Sequence, residues 1–262
     1  MANVPAELKD QSRGLRLHVA MSRAGVGSRR ACEQMIAEGR VSVNGVDIGP
    51  DDMPVWVDTH RDPVRVDGRQ IARPRRRTFT YLMVNKPRRV ICTNDDPQGR
   101  RRIVDLVPQD ERLFCVGRLD ADSSGLVLLT NDGELAERLT HPRREVAKTY
   151  RVTIKGSLDG AAIEKLRRGV VLADRAGQTA RARASGVRLL ERDADRTRLE
   201  ITLREGRNRE IRRMLARLGH PVKRLRRIAI GPVPLKGVAS GAWRYLTRQE
   251  LRDLRKAAGM RR

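Results

Sequence analysis

The chain is short of aromatic residues. Phe, Tyr and Trp make up 3% of its 262 residues, as two Phe, three Tyr and two Trp. Any core must therefore be aliphatic, built on Leu, Val, Ile and Ala, and an aromatic side chain inside a motif is informative. Cysteine is equally scarce. Cys32, Cys92 and Cys115 lie far apart and form no CxxC pair, and His18, His60, His141 and His220 are scattered. This argues against a zinc site or a disulfide framework and for a reducing cytoplasm. No apolar run approaches the ~20 residues of a membrane span, and MANVPAELKDQSRGL lacks the charged-then-apolar layout of a signal peptide. With no P-loop and no dinucleotide-binding glycine motif, no cofactor is indicated. Acidic residues are outnumbered as well: 32 Asp+Glu face 56 Lys+Arg, a formal net charge of +24.

Such a charge repels itself unless a polyanion neutralises it. Nucleic acid is the default partner, because Lys and Arg on phosphates release condensed counterions. A membrane surface, or mere arginine-rich codon usage, is the blander reading. It is disfavoured because Arg recurs inside motif-like segments as well as at the ends. The chain reads as two domains, 14–72 and 79–257, joined by a basic linker at 73–78 and followed by a frayed basic tail at 258–262. In the first, Ser28 is a good helix N-cap. Behind it Ala31 with Met35 and Cys32 with Ile36 repeat at i, i+4, Gly39 stops the helix, and Val41-Ser42-Val43 leads into Asn44-Gly45, a strong hairpin signal. Arg23, Arg29, Arg30 and Arg40 cluster at one helix start and one helix end, a candidate phosphate-gripping surface. The stretch SRAGVGSRRACEQMIAEGRVSVNG resembles the small RNA-binding domain named after ribosomal protein S4, on Ser28-Arg29 and on the Gly39–Gly45 turn.

In the second domain the runs YLMVNKP, RLFCVG, LVLLT, KTYRVTI, GVVL, RLEITL and WRYLT read as strands. GELAERLTH, DGAAIEKLRRG, NREIRRMLARLG and TRQELRDLRKA read as helices, the last opened by a capping box from Thr247 to Glu250. Interspersed strands and helices with hairpin-length gaps predict an α+β fold, a mostly antiparallel mixed sheet flanked by helices.

Two carboxylates stand out in GRLDADSSGLVLLTNDG, at 117–133. D-x-D-x-S-G matches the first half of a calcium loop. Asn131, however, occupies the twelfth position, where a bidentate Glu is needed, and a strand-like run fills the middle. A turn accounts for Ser123, Ser124, Gly125 and Asp122, but less well for Asp120, which follows the strand-like Leu113–Val116 directly.

GRLDADSSGL resembles the catalytic motif of the RNA pseudouridine synthases, in the bacterial group that modifies ribosomal RNA. Gly117, Arg118, Leu119, Asp120, Ser123, Ser124, Gly125 and Leu126 meet its fixed positions. The resemblance implies that Asp120 is the catalytic aspartate and leaves Asp122 at a variable position. Lys148-Thr149-Tyr150 matches the family's second motif, whose tyrosine packs against the target base. Asn85-Lys86-Pro87 matches the opening strand. In REGRNREIRRMLARLGHPVKRL the resemblance makes Arg212 the partner of the catalytic aspartate. The helical stripe leaves Arg212 at its border and sends Arg209 and Arg213 away from the protein. Glu210 is a departure, standing where relatives often have Gln. Arg118 is the candidate to fill the stack vacated by a flipped base. Asp120, Arg118, Tyr150, Arg212 and Lys148 are thus the expected site residues. The implied partner is ribosomal RNA, bound by a monomer that uses no metal. Gly-Arg-Asn-Arg at 206–209 favours the large-subunit enzymes over the small-subunit ones; a non-catalytic rRNA-binding or assembly protein is the remaining alternative.

Overall fold

The computed structural model describes residues 4–72, 78–108, 112–173 and 177–260. The chain divides into two compact units, Met1–Thr78 and Phe79–Arg262. Residues 73–77 of the expected linker lie outside the described residues.

In the first unit, β1 (Leu15–Arg16) leads into α1 (Leu17–Arg23) and α2 (Arg29–Ala37). The hairpin β2 (Val41–Val43) and β3 (Val46–Ile48), β4 (Trp56–Val57), β5 (Val64–Val66) and β6 (Arg69–Gln70) follow. Ser28 caps α2 by accepting the Ala31 N–H at 3.1 Å. Asn44 and Gly45 both have positive φ, as the tight turn between β2 and β3 requires. The core is aliphatic: Leu8, Leu17, Met21, Ile36, Val41, Val43 and Ile48 are buried, with Cys32 among them. One carboxylate organises its polar side. Buried Asp62 accepts from Arg13 Nε at 2.8 Å and Nη2 at 2.6 Å, from Asn44 Nδ2 at 3.0 Å and from the Asp58 N–H at 2.7 Å.

Among the described residues, the second unit is built on one sheet of nine strands. The strands are β7 (Tyr81–Lys86), β8 (Phe114–Val116), β9 (Ser124–Thr130), β10 (Lys148–Lys155), β13 (Gly186–Arg192), β14 (Arg196–Leu203), β15 (Val222–Ile230), β16 (Val233–Pro234) and β17 (Trp243–Tyr245). The path runs β13-β14-β10-β15-β9-β7-β17, with β8 on β9 and β16 on β15. Every pairing is antiparallel except β9 with β15. A separate hairpin joins β11 (Val170–Ala173) to β12 (Thr179–Ala182).

Alternation along the strands sends successive side chains to opposite faces. Leu82, Val84, Val127 and Leu129 join Val152, Ile154, Leu199 and Ile201 in a core with α4 (Gly160–Arg168) and α5 (Glu210–Arg217). Met83, Leu126 and Leu128 join Ile230 in a second core on the other face, with α3 (Gly133–Thr140) and α6 (Arg248–Ala257). Thr247 and Glu250 form the expected capping box of α6. The expected frayed tail is in part packed: Ala258 is fully buried in the second core and Met260 lies against it, because the apolar side of α6 continues past its last turn.

Candidate active site

The site forms where β8 ends and β9 begins. Gly117 turns the chain with φ of +71°, and Ser123 N–H donates to Asp120 O at 3.1 Å, closing the loop that carries the two aspartates. Ala121 O accepts from Arg89 N–H, tying the loop to the segment after β7, and Leu119 N–H donates to Cys92 Sγ at 3.4 Å. Ser124 and Gly125 belong to β9 and are not part of a turn. A glycine is required there for another reason: a Cβ on Gly125 would sit 2.2 Å from Arg227 O and 2.7 Å from Arg227 N, because β9 and β15 meet at Gly125↔Arg227.

Asp120 is one third exposed and lines a cavity of about 280 Å³ together with Arg118, Tyr150, Lys148, Arg209 and Arg227. Arg118 is exposed at its rim. Tyr150 is 9% exposed, presented by β10 from the same face as Val152 and Ile154. Lys148, on the same face, donates to Val146 O at 3.0 Å. Burial, reinforced by the charge of Arg227, pulls the Lys148 ammonium down to about 8.

The arginine pairing differs from expectation. Arg212 does not reach Asp120. Its Nη2 lies 3.1 Å from Asp122 Oδ2 and also donates to Asp122 O and to Ser123 Oγ, each at 3.4 Å. Arg209, expected to point away, has its Nη1 3.3 Å from Asp120 Oδ2 and its Nη2 3.3 Å from Asp122 Oδ2. The cause is local. Arg209 is the left-handed N-cap of α5, with φ of +49°, so the helix starts at Glu210, two residues later than the run from Asn208 suggests, and Arg209 is freed from it. Asp122 is therefore more than turn scaffolding, since it holds both arginines. Burial is the largest single influence on its carboxyl and would raise its pKa, but the hydrogen bond from Arg209 and the charges of Arg212 and Arg209 outweigh it and hold the pKa below the usual range. Glu210 is buried, accepts the Arg207 N–H at 3.1 Å, and is raised by burial.

Two residues matter that sequence reasoning did not assign to the site. Lys86 is 0% exposed and donates to Pro87 O at 3.0 Å and Val90 O at 2.6 Å. Its pKa is lowered by burial, against the opposing charges of Cys92, Asp122 and Asp120. Arg227 is 2% exposed; its Nε donates to Leu126 O at 2.6 Å and its Nη1 to Arg118 O at 3.5 Å. In the first unit Arg29 and Arg30 are exposed at the start of α2, while Arg40 is already engaged, 2.7 Å from Asp67 and 3.0 Å from Glu38.

One unit is a mixed sheet with a carboxylate loop, an aromatic wall and cations around a cavity, the other an aliphatic module with exposed arginines, and each suits a protein that acts on RNA. Residues 80–217 match the RNA pseudouridylate synthase family and residues 15–50 the S4 domain. The chain is 40% identical to an RNA pseudouridine synthase of Aquifex aeolicus, with 94% of this chain and 96% of that one covered. It is 39% identical to ribosomal large subunit pseudouridine synthase B of Bacillus subtilis, with 93% and 96% covered. A solved pseudouridylate synthase superposes with a TM-score of 0.64 at 28% identity, covering 92% of this chain and all of the other. The chain belongs to the RNA pseudouridylate synthase family.

Proposed function

We propose that the protein isomerises one uridine of large-subunit ribosomal RNA to pseudouridine, with Asp120 as the acting carboxylate. The observation that carries this is the cavity: Asp120 stands at an opening whose wall is Tyr150, on a protein of net charge +24. Isomerisation breaks the N-glycosidic bond, turns the base and rebonds it through carbon. No group enters or leaves, so a carboxylate and a shaped cavity suffice. A uridine in folded RNA must first be flipped out, at a cost of a few kcal/mol. Arg118 at the rim, planar and able both to stack and to donate, fills the vacated place. Tyr150 stacks on the flipped base. Arg209 holds the Asp120 carboxylate in position, and Arg212 holds the loop through Asp122.

Residues 14–72 grip the RNA backbone chiefly through Arg29 and Arg30, with Arg23 and Arg40 the further candidates in that unit, and residues 79–257 carry the chemistry. Phosphate contacts position the RNA but carry no sequence information. The enzyme acts as a cytoplasmic monomer. Large-subunit RNA is favoured over small-subunit RNA by the similarity to the Bacillus subtilis protein. Mapping pseudouridines in ribosomal RNA from cells with and without the gene tests the reading. Loss of one large-subunit site is expected. Loss of a small-subunit site would move the target, and loss of none would leave an RNA-binding protein without this activity.

A further inference from the structure

Arg227 is an anomaly by the ordinary rules of burial. Its guanidinium is inside the protein, no carboxylate lies within ion-pair distance among the described residues, and Nη2 is buried without a hydrogen-bond partner among them. A buried cation with an unmade hydrogen bond is costly and persists where something else compensates it. The sheet is built around this placement. The β9–β15 junction admits only a glycine opposite Arg227. A register shift between Thr149 and Tyr150 then sets Tyr150 directly opposite Arg227 on the neighbouring strand. The row Lys86, Gly125, Arg227, Tyr150 thus crosses four strands on the face that bears the cavity, and Lys148 lies two residues from Tyr150 on that same face. Nη1 donates to Arg118 O, so the guanidinium lies under the turn that carries Asp120, and Arg227 itself lines the cavity.

Resting on the pseudouridine synthase reading, we propose that Arg227 Nη2 and the Lys148 ammonium form a binding site for the uracil ring's carbonyl oxygens and hold the negative charge that the ring acquires during isomerisation. The need for such a site does not depend on which atom Asp120 attacks. If the carboxylate acts on the ribose, the N1–C1′ bond breaks and its electron pair leaves with the ring, spread over N1, O2 and O4. If it adds to C6, the C5=C6 pair moves onto C5 and O4. In either case the N1–C1′ bond is broken before C5 bonds to C1′; C5 gives up its proton, N1 takes one up, any bond to Asp120 breaks with its electron pair returning to the carboxylate, and the product has the atoms of the substrate. Between those steps the ring is anionic. Donors already fixed where charge develops need no reorganisation at that moment. Tyr150 supplies the ring's stacking face, and Arg227, its cross-strand neighbour, supplies the edge.

The test compares large-subunit ribosomal RNA transcribed with uridine or with 5-fluorouridine. Fluorine stabilises the ring anion by itself, so the enzyme has less to do. Single-turnover conversion to the carbon-linked glycoside is followed by chromatography of the digested nucleosides, for the wild type, Arg227→Lys, Lys148→Met and Asp120→Asn; the 5-fluorouridine glycoside keeps its fluorine, because its C5 has no proton to give up. Each of the first two variants is expected to slow uridine by about 100-fold and 5-fluorouridine by about 10-fold or less. A purely structural role would slow both substrates by the same factor, and that equality overturns the proposal. Thermal melting screens Arg227→Lys for folding. Lys148→Met carries the same comparison if Arg227→Lys fails that screen, because Lys148 is only half-buried. A wild type inert on the uridine transcript, with no site lost in cells, would defeat the pseudouridine synthase reading and this site with it. An active wild type with equal slowing would defeat this site alone.

Discussion

The two units use the same cations in opposite ways. In the first, two arginines are paired across the chain: Arg13 closes on Asp62 at 2.6 Å and Arg40 on Asp67 at 2.7 Å, so each links parts of the chain distant in sequence. In the second, the most deeply buried cations, Lys86 and Arg227, have no carboxylate within ion-pair distance among the described residues and lean on backbone carbonyls. The carboxylates that could have neutralised them, Asp120 and Asp122, sit instead at the surface of the cavity with Arg209 and Arg212. A paired cation stabilises the structure it joins. Cations buried without a counterion keep a positive field in the cavity, and that field suits an anionic ligand or a reaction in which anionic charge develops.

The largest effect should come from Asp120, the part-exposed carboxylate that lines the cavity. Asp120→Asn keeps the shape and removes the charge; turnover on ribosomal RNA should fall by about 10⁴-fold or more while RNA affinity holds. Wild-type-like turnover by this variant would remove Asp120 from the chemistry. Next come the two arginines. Arg212→Ala leaves Asp122 with one arginine and opens the loop; Arg209→Ala frees the Asp120 carboxylate. Each should lower turnover by about 10- to 100-fold, since each strips a charge-assisted contact from a part-buried carboxylate. Asp122→Asn should reproduce part of both losses. If Asp122→Asn is silent while Arg212→Ala is not, Arg212 acts on Asp120 directly once RNA is bound, and the pairing in the free protein is a resting arrangement.

Much of the fold was legible because its elements follow simple periodicities. The α2 cap at Ser28, the Asn44-Gly45 turn, the Thr247 capping box and the strand carrying Lys148 and Tyr150 all lie where alternation or i, i+4 spacing puts them. β15 was not legible. Val222–Ile230 carries Lys223, Arg224, Arg226 and Arg227, and four cations in so short a run hide a strand central to the sheet. Arg227 was lost with it: Arg226 and Arg227 are adjacent and chemically alike, yet one faces solvent and the other the core. Only strand register and the parallel contact at Gly125 tell them apart. Gly125 carries a signal, but in sequence a glycine after two serines reads equally well as a turn. The pairing of Arg209 was missed for a similar reason, since the helical stripe was extended through a residue whose left-handed backbone lies outside the helix.

The paired side of the comparison breaks at Asp62. Its hydrogen bonds from Arg13 come first among the causes that hold its carboxyl at about 2, outweighing burial, against 3.8 for the free group. The folded value is the lower one, so the stabilisation is fully present above about 4 and is lost as pH falls toward about 2. Asp62→Asn should therefore destabilise the protein by about 2 kcal/mol at pH 7 and progressively less below pH 4. Urea unfolding at pH 7 and pH 3 measures this; a deficit that does not shrink at pH 3 would mean that Asp62 stabilises by shape alone.

The smallest effect separates the arginines of the first unit from one another. Arg29 and Arg30 are exposed at the start of α2 with no carboxylate in ion-pair distance among the described residues, whereas Arg40 is held by Asp67 and Glu38. A phosphate that recruits Arg40 must compete with two carboxylates already in place; one that meets Arg29 or Arg30 displaces only water and counterions. Arg29→Ala and Arg30→Ala should each weaken RNA binding and reduce the slope of log affinity against log salt by about 0.7 to 1. Arg40→Ala should leave the slope nearly unchanged and lower stability by less than about 1 kcal/mol, as an exposed pair does. Equal slope changes for all three would show that RNA opens the Arg40 pairs on binding, and the division between paired structural cations and free binding cations would then hold only for Arg13.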